Sequence, residues 1–315
     1  MRRLLLFTVL ALLVGGGTAL AMTVDEAIDL FQGSDIMIPY SDEGRATLDE
    51  MIAAFRGALG VPDELDETNE DAVMAFDIDA GLIDVLNRLS QTYYTLADAF
   101  LGGGSEERPT YLRGKHWGLK ALRMNPDFTA TESSDGFVAA VATVENIDGL
   151  YWAAANWLRA AEFNPLEAVF AGVPEKTDTM SRRCLELDET YMNYGSYRAL
   201  AAFWAGLPKL PAGHYRKNWN QSLGYFCTIV DEPGICGECN DCPGYCGFVP
   251  EMNEYFENRV FFVEFWLIQK GGYWEDAKRI LDQVLSEPIG DKYPLYNAIS
   301  QEKALEFLEE VESKL

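Results

Sequence analysis

Four closely spaced cysteines are the residues whose types and spacing most directly suggest chemistry. They are Cys236, Cys239, Cys242 and Cys246, separated by two, two and three residues. Thiolates at this spacing bind a 4Fe–4S cluster in bacterial ferredoxins, and four nearby thiolates also hold zinc ions. In the ferredoxin run a proline follows the last cysteine, whereas Gly247 stands there in this chain.

Two further cysteines, Cys184 and Cys227, bring the total to six. An even number of closely spaced cysteines is typical of a disulfide framework in a protein outside the cytoplasm. We therefore favour disulfides among these six residues and keep zinc and an iron–sulfur cluster as alternatives. Six cysteines permit about 15 pairings, so the sequence does not set the connectivity. A bond between Cys184 and Cys227 follows only by elimination.

The chain has only two histidines, which limits the catalytic and metal sites it can form. His116 stands beside Trp117 in a predicted helix and is expected to be a packing or surface residue. His214 lies in a Pro/Gly-rich loop and is an alternative fifth metal ligand. The sequence contains no Gly-x-Ser-x-Gly turn and no phosphate-binding glycine motif. We predict no catalytic residues and no cofactor, and therefore a protein that is not an enzyme.

The first 21 residues have the pattern of a secretory signal. Two arginines precede an apolar run from Leu4 to Val14, and Ala19-Leu20-Ala21 suits cleavage. We predict removal of residues 1–21 and a periplasmic helical domain over residues 22–315. This domain has no segment long enough to span a bilayer, and no cysteine near the cleavage site that could carry a lipid.

Acidic residues outnumber basic residues by 50 to 25, which gives a net charge of −25. Such a surface repels phosphate backbones and anionic lipid headgroups, so we exclude nucleic acid as a partner. The acidic stretch from Asp63 to Asp71 is expected to be a solvated loop rather than a binding site.

Apolar residues recur every three or four positions along most of the chain, and alternating strand patterns are nearly absent. Thr23 and Ser41 are expected to cap the first two helices, because their hydroxyls can accept hydrogen bonds from backbone N–H groups. The helical periodicity fails over residues 209–250, which are rich in Pro, Gly and Cys. The sequence therefore predicts an all-α fold with one irregular insertion at 209–250.

A repeated helix ending indicates repeated structural units. The residues Ala121, Leu122, Met124, Asn125 and Phe128 correspond to Cys184, Leu185, Leu187, Asp188 and Tyr191, each 63 positions later. Between Tyr151 and Pro208, small residues and large aromatic residues also alternate at helical spacing. The pattern resembles degenerate tetratricopeptide (TPR) hairpins, in which small residues let paired helices pack closely. We expect stacked helical hairpins, an architecture that usually binds other proteins.

Most aromatic residues between Trp152 and Trp204 are expected to pack between helices, since they stand three to six positions apart. The alternative is that some of them line an apolar groove or pore on the concave face of the stack. The residues that we assign to a partner or ligand surface are Tyr151, Trp152, Asn156, Trp157, Arg183, Asp188, Tyr191 and Tyr197.

Three groups of residues carry a family resemblance. They are Tyr151, Trp152, Ala154, Asn156 and Trp157; then Arg183, Leu185, Glu186, Leu187, Asp188, Tyr191, Gly195 and Pro208; and finally the segments AKRILDQVLSEP and LYNAISQEKALEFL near the C-terminus. With these residues the chain resembles the periplasmic T components of tripartite ATP-independent (TRAP) transporters. The motifs are helix-packing signatures and not catalytic ones.

The resemblance implies an all-helical TPR-like fold, association with the solute-binding P subunit of a TRAP system, and a homotrimer that encloses an apolar passage. Family members often carry a lipid-anchored cysteine at the mature N-terminus, and this chain has none. The Cys-rich segment from about Leu210 to Pro250 replaces a short hairpin connection. We expect a periplasmic accessory protein that docks the P subunit and assists transfer of a small organic ligand. The alternatives are a metal or iron–sulfur protein that uses Cys236 to Cys246, and a TPR-like scaffold for another partner.

Overall fold

The computed structural model describes residues 21–209, 215–237 and 248–315. These residues form helices and loops, apart from one antiparallel pair of two-residue strands, β1 (Phe31–Gln32) and β2 (Asp35–Ile36). The prediction of an all-α fold of stacked helices is therefore confirmed.

Several sequence predictions lie outside the described residues. These concern the signal at the N-terminus, whose residues 1–20 are not described, together with His214, Cys239, Cys242 and Cys246. Among the residues that are described, no helix combines the length and the apolar character needed to cross a membrane.

The α-helices follow one another along the chain, joined mostly by short turns. They are α1 (Val24–Asp29), α2 (Asp42–Ala58), α3 (Glu70–Ala75), α4 (Ile83–Phe100), α5 (Glu107–Arg123), α6 (Pro126–Asp135), α7 (Phe137–Val141), α8 (Ile147–Glu162), α9 (Pro165–Phe170), α10 (Val173–Leu187), α11 (Tyr191–Gly206), α12 (Trp219–Ile229), α13 (Pro233–Cys236), α14 (Glu257–Phe262), α15 (Trp274–Ser286) and α16 (Pro294–Glu312). Short 3₁₀ turns at Ala80–Leu82 and Pro250–Glu254, and a π-helical segment at Val263–Ile268, complete the set.

The first two helices begin where the sequence predicts. The Thr23 hydroxyl accepts a hydrogen bond from the backbone N–H of Glu26, and the Glu26 carboxylate accepts one from the backbone N–H of Thr23, which is a capping box. The Ser41 hydroxyl accepts from the N–H of Gly44 at 3.2 Å. Both hydroxyls satisfy N–H groups that have no partner inside the helix.

The centre of the fold is the packing of α4, α5 and α8 on one another. Helix α4 is buried on most of its faces. At the crossing of α5 and α8 a Cβ atom on Gly118 would lie 2.9 Å from the Cα of Ala153, so only glycine fits there. Close packing through small residues, which the sequence predicts, brings these two backbones into contact.

The acidic stretch from Asp63 to Asp71 is exposed at Asp63, Glu64, Asp66 and Asp71, as its composition suggests, but Glu67 is an exception. Glu67 is 7% exposed and forms an ion pair with Arg56 at 2.8 Å. Its carboxylate also accepts hydrogen bonds from Trp117 Nε1 at 2.5 Å and from the Tyr93 hydroxyl at 2.8 Å. Charge alone predicts exposure, but a buried carboxylate is stable where donors from other helices surround it.

The interval 209–250 is only partly irregular, which corrects the sequence prediction. Helix α12 lies inside it, and every residue from Ser222 to Ile229 is buried. The prolines and most of the glycines stand on either side of α12, so they bound the helix without interrupting it. Helix α12 packs against α11 and closes one side of the C-terminal core.

Candidate functional site

A cavity of about 380 Å³ lies between the central helices and the C-terminal part of the chain. We call it the main cavity. Its wall combines side chains from α4, α8, α9, α10 and α11 with side chains between residues 255 and 299. Most of the wall is apolar or aromatic, and its large rings are Tyr94, Tyr151, Trp152, Phe203, Tyr255, Phe261, Phe265 and Tyr296. Such a volume and lining suit a small organic ligand.

One part of this wall carries a network of charged side chains. The Asp98 carboxylate accepts hydrogen bonds from Lys303 Nζ at 2.9 and 3.0 Å and from Arg159 Nη2 at 3.1 Å. Arg159 Nη1 also donates to Glu162 Oε2 at 2.8 Å. Burial raises the pKa of Asp98, but the charges of Lys303 and Arg159 outweigh it, so this pKa lies below its usual range. Asp98 therefore stays ionised and fixes both cations.

A strained turn forms a second part of the wall. Met192, Asn193 and Tyr194 all have left-handed backbone angles, with φ of 50°, 52° and 66°. Such angles cost about 1–3 kcal/mol each for residues other than glycine, and they persist only where the surroundings impose them. Arg198 imposes them here, since its guanidinium donates to the Asn193 carbonyl at 2.6 Å and to the Met192 carbonyl at 2.8 Å. Arg198 is also paired with Glu257 at 3.1 Å.

Gly195, in the turn that follows, lets Tyr151 reach the main cavity. A Cβ atom on Gly195 would lie 2.3 Å from the Tyr151 hydroxyl oxygen, which is an impossible contact. Both residues line the cavity. Tyr151 and Gly195 belong to two different groups of the residues that carry the family resemblance. Their contact gives a physical reason why both residues are part of it.

Trp152 separates the main cavity from a second cavity of about 330 Å³, because its ring lines both. The second cavity is polar and is lined by Asp84, Arg88, Gln91 and Tyr191, among others. Trp152 Nε1 donates to the Tyr191 hydroxyl at 3.1 Å, and Tyr191 in turn donates to Asp148. This chain of hydrogen bonds fixes the Trp152 ring between the two cavities.

Of the eight residues assigned to a partner or ligand surface, three line a cavity. Tyr151 and Trp152 line the main cavity, and Tyr191 lines the polar one. Asn156 is fully buried, and its amide donates to the Ser90 carbonyl at 3.1 Å and to the Trp152 carbonyl at 2.9 Å. Asn156 therefore joins α8 to α4 and is out of reach of a partner.

The other four residues make local contacts. Arg183 Nε donates to the Val144 carbonyl at 3.1 Å, and Asp188 accepts from the Thr190 N–H at 2.9 Å. Tyr197 is 7% exposed, and its hydroxyl donates to Glu189 at 2.8 Å. Lys115 and Lys176 lie over the ring of Trp157. None of these four lines either cavity in the described part of the chain.

Sequence reasoning missed the charged residues of the main cavity. They are Asp98, Arg159, Glu162, Arg198, Glu257, Glu264 and, behind Asp98, Lys303. One signal was available, because Glu264 is the only charged residue in the apolar run from Val260 to Ile268. A single charge in such a run indicates a buried ionisable group, and buried ionisable groups cluster at functional sites.

The cysteine pairing suggested by elimination is wrong. Cys227 forms a disulfide with Cys236, and Cys184 is a free, buried thiol. Burial raises the pKa of Cys184 to about 12, so this thiol stays protonated. Because Cys236 is in a disulfide, it offers no thiolate to a metal. Among the described residues, no group of three or more His, Cys, Asp or Glu side chains is arranged to hold a metal ion.

His116 is a packing residue, one of the two roles expected of it. It is 3% exposed, and its Nδ1 atom lies 2.9 Å from the Glu67 carbonyl oxygen. Burial lowers its pKa, which keeps the ring neutral.

Comparison with known proteins finds a family match in the central part of the chain. Residues 105–218 match the model of the TRAP transporter T-component family. No curated protein matches the chain. The matched segment contains α5 to α11 and supplies more than half of the residues that line the main cavity, whereas α4 and the residues after 250 lie outside it. The resemblance to TRAP transporter T components is therefore confirmed over residues 105–218, about a third of the chain.

Proposed function

We propose that this protein is a periplasmic, non-enzymatic accessory component of a TRAP transporter. It docks on the solute-binding P subunit and holds a small organic ligand in the main cavity during transfer. The observation that carries the proposal is the cavity itself, about 380 Å³ of mostly apolar space whose wall comes largely from the family segment. The cavity size and its apolar lining support binding of a ligand, and the family match supports the transporter as the setting.

An apolar patch at the edge of the main cavity is the docking surface in this proposal. Phe163, Leu166 and Phe170 are 47%, 56% and 89% exposed, although all three are large apolar side chains. They belong to α9 and the residue that follows α8. Pro165, Ala168 and Val169 of the same helix line the cavity. A P subunit seated on the patch would stand next to the cavity, which transfer of a ligand requires. Exposed apolar side chains of this size typically mark interaction surfaces.

Isothermal titration calorimetry with the P subunit encoded beside this chain tests the proposal. The full chain should bind with a dissociation constant of about 1 μM or lower. The double variant Leu166→Ser/Phe170→Ser should weaken binding at least about tenfold, because truncated apolar anchors at an interface commonly cost more than 1.4 kcal/mol. The matched control is Leu305→Ser, which changes a 51% exposed leucine on α16 that does not line the cavity.

Three outcomes separate the parts of this proposal. If the wild-type chain does not bind the P subunit, the proposed function is wrong. If the double variant binds like wild type, the docking surface lies elsewhere. If the double variant still binds but changes from a trimer to a monomer in light scattering, the patch joins copies of this chain and the expected homotrimer forms through it.

A further inference from the structure

Almost every charge at the main cavity is neutralised inside the protein. Asp98 and Glu162 offset Arg159 and Lys303, and Arg198 offsets Glu257 through an ion pair at 3.1 Å. Burial of charges is tolerated where such pairs form, because each charge keeps a partner that replaces water. These two groups are therefore each neutral and offer no free cation to a ligand.

Glu264 is the exception. Its side chain lines the main cavity, and it forms no hydrogen bond or ion pair with any residue that the structure describes. Glu264 lies on the π-helical segment Val263–Ile268. Such segments occur mostly as local distortions and are frequent at functional sites. The cavity therefore holds one carboxyl group more than its cations can neutralise.

The surroundings of Glu264 favour a positively charged ligand atom. Phe261 and Phe265 stand on either side of it in the sequence and line the same cavity. Tyr94, Phe203 and other rings complete an aromatic wall, and the faces of aromatic rings attract cations. An anionic ligand would instead bring its charge close to an unneutralised carboxylate, since Arg159, Lys303 and Arg198 are already paired.

We propose that the main cavity binds a small organic ligand with an apolar body and one positively charged nitrogen, which forms an ion pair with Glu264. The inference adds a ligand class to the proposed function, and it rests on one part of that function, namely that the cavity holds the ligand. It names a chemical class, the apolar monoamines and their alkylated ammonium derivatives. Binding one such ligand would make the sum of the charges at the cavity zero.

The proposal predicts a pH dependence of binding. Burial raises the pKa of Glu264 to about 7, and the charges of Arg159 and Lys303 act in the opposite direction. If the ionised form alone binds the cation, the ionised fraction falls from about nine-tenths at pH 8 to about one-tenth at pH 6. The apparent affinity should therefore fall roughly tenfold over that range.

The pH dependence caused by Glu264 must be distinguished from that caused by other ionisable groups at the cavity. The groups whose charges act on Glu264 are Asp98 of α4, Arg159 and Glu162 of α8, and Lys303 of α16. The other ionisable groups that line the same cavity are Tyr94, Tyr151, Arg198, Tyr255, Glu257 and Tyr296. Burial also raises the pKa of Glu162, so the pH dependence of the wild-type chain alone would not identify the group. The variant Glu264→Gln separates the two, since it removes only the carboxylate of Glu264.

The experiment uses three probes with the same phenyl body: phenethylamine, 2-phenylethanol and 3-phenylpropanoate. Binding to the full chain is measured by calorimetry at pH 8 and pH 6. At pH 8 the amine should bind at least about tenfold more tightly than the alcohol, and the carboxylate most weakly. In Glu264→Gln the amine should bind within about threefold of the alcohol, and its pH dependence should vanish. The control Glu275→Gln, an exposed residue of α15, should behave like wild type.

The proposal is overturned if the carboxylate binds as tightly as the amine, if the amine gives no binding at pH 8, or if Glu264→Gln keeps the wild-type preference. Thermal unfolding of the variant verifies its fold, and the comparison of the three probes on the wild-type chain is decisive by itself. Titration of the P subunit is independent of these probes. A chain that binds the P subunit but not the amine would retain the proposed function and lose only this inference.

Discussion

At the scale of single residues, Gly195 shows how the absence of a side chain shapes the main cavity. Its Cα faces the Tyr151 hydroxyl so closely that any Cβ would overlap it. Gly206, near the end of the same helix, has open space where its Cβ would be. A side chain is therefore excluded at Gly195 and has room at Gly206, although both are helical positions next to the cavity.

The variant Gly195→Ala should lower the free energy of unfolding by about 1–3 kcal/mol, because the new methyl group must displace the Tyr151 ring. Gly206→Ala should instead leave the protein unchanged or stabilise it by up to about 1 kcal/mol, since alanine favours the helix. Urea unfolding followed by circular dichroism measures both. Equal effects of the two substitutions would show that the contact with Tyr151 does not constrain this position.

The buried guanidinium of Arg198 is the other residue on which the cavity wall depends. It satisfies the carbonyls of Met192 and Asn193 and pairs with Glu257. We expect Arg198→Met to cost about 3–5 kcal/mol, because it leaves a buried carboxylate and two carbonyls without donors.

The exposed pair of Lys292 with Glu254, at 2.7 Å, provides the control for Arg198. Lys292→Met should cost less than about 1 kcal/mol, since exposed ion pairs contribute little. Urea unfolding curves measure the stability cost of both substitutions. A cost below about 1 kcal/mol for Arg198→Met would mean that the left-handed turn does not need this cation.

At the scale of elements, the disulfide between Cys227 and Cys236 links the end of α12 to α13. Its two cysteines are nine positions apart in the sequence, so the closed loop is short. This link holds the residues that lead into the Cys-rich segment against the C-terminal core, which includes Cys227 and Ile235. The bond thus attaches α13 to α12, which is well packed.

Peptide mapping under non-reducing conditions should find Cys227 joined to Cys236, and Cys184 should react with an alkylating reagent only after unfolding. The double variant Cys227→Ser/Cys236→Ser should lose about 2–3 kcal/mol of stability, the value for a loop of about ten residues. A peptide that joins Cys184 to Cys227 would contradict the structure at this point.

At the scale of the whole molecule, the two ends of the stack share one core. Leu295, Tyr296 and Ile299 of α16 pack in the same cluster as Phe55 and Leu86 from the first third of the chain. In an open solenoid each unit contacts only its neighbours. Here the contact between distant helices encloses a cavity where an open stack would leave only a concave surface.

Asp35 belongs to this junction and gives it a pH dependence. It lies on β2, accepts a hydrogen bond from Asn193 at 3.4 Å, and stands close to Arg198. Burial raises its pKa from 3.8 to about 6. A raised folded-state pKa means that the stability contributed by Asp35 is complete below pH 3.8 and is lost as the pH rises through about 6.

The variant Asp35→Asn removes this titration and keeps an oxygen for Asn193. Between pH 4 and pH 7 the wild-type chain should lose about 2–2.5 kcal/mol relative to the variant. Thermal or urea unfolding at several pH values measures the difference. Asp49 is exposed, so Asp49→Asn serves as a control, and its stability should change with pH in the same way as that of the wild-type chain. Parallel curves for wild type and Asp35→Asn would contradict the assigned pKa.

Much of the secondary structure could be predicted from the sequence, whereas fewer residues of the main cavity could be. Thr23 and Ser41 cap their helices as predicted, because a cap depends on residues within three positions. Tyr151 and Trp152 were assigned to a ligand surface from their aromatic character and do line the main cavity. Asp98 and Glu67 could not be assigned from their surroundings in the sequence, since the donors that stabilise them stand far away along the chain.

The sequence by itself determined the helices, their caps, the small residues at helical spacing, and the resemblance to TRAP transporter T components. All of these depend on side chains within about one or two helical turns, so a linear pattern records them. The tertiary structure alone decided the main cavity, the pairing of its charges and the partner of Cys227. Lys303 and Asp98 are 205 residues apart and meet only because α16 and α4 pack in the same core cluster. Burial and pairing depend on such distant contacts, and this is why Glu264 remains the one cavity charge without a partner among the described residues.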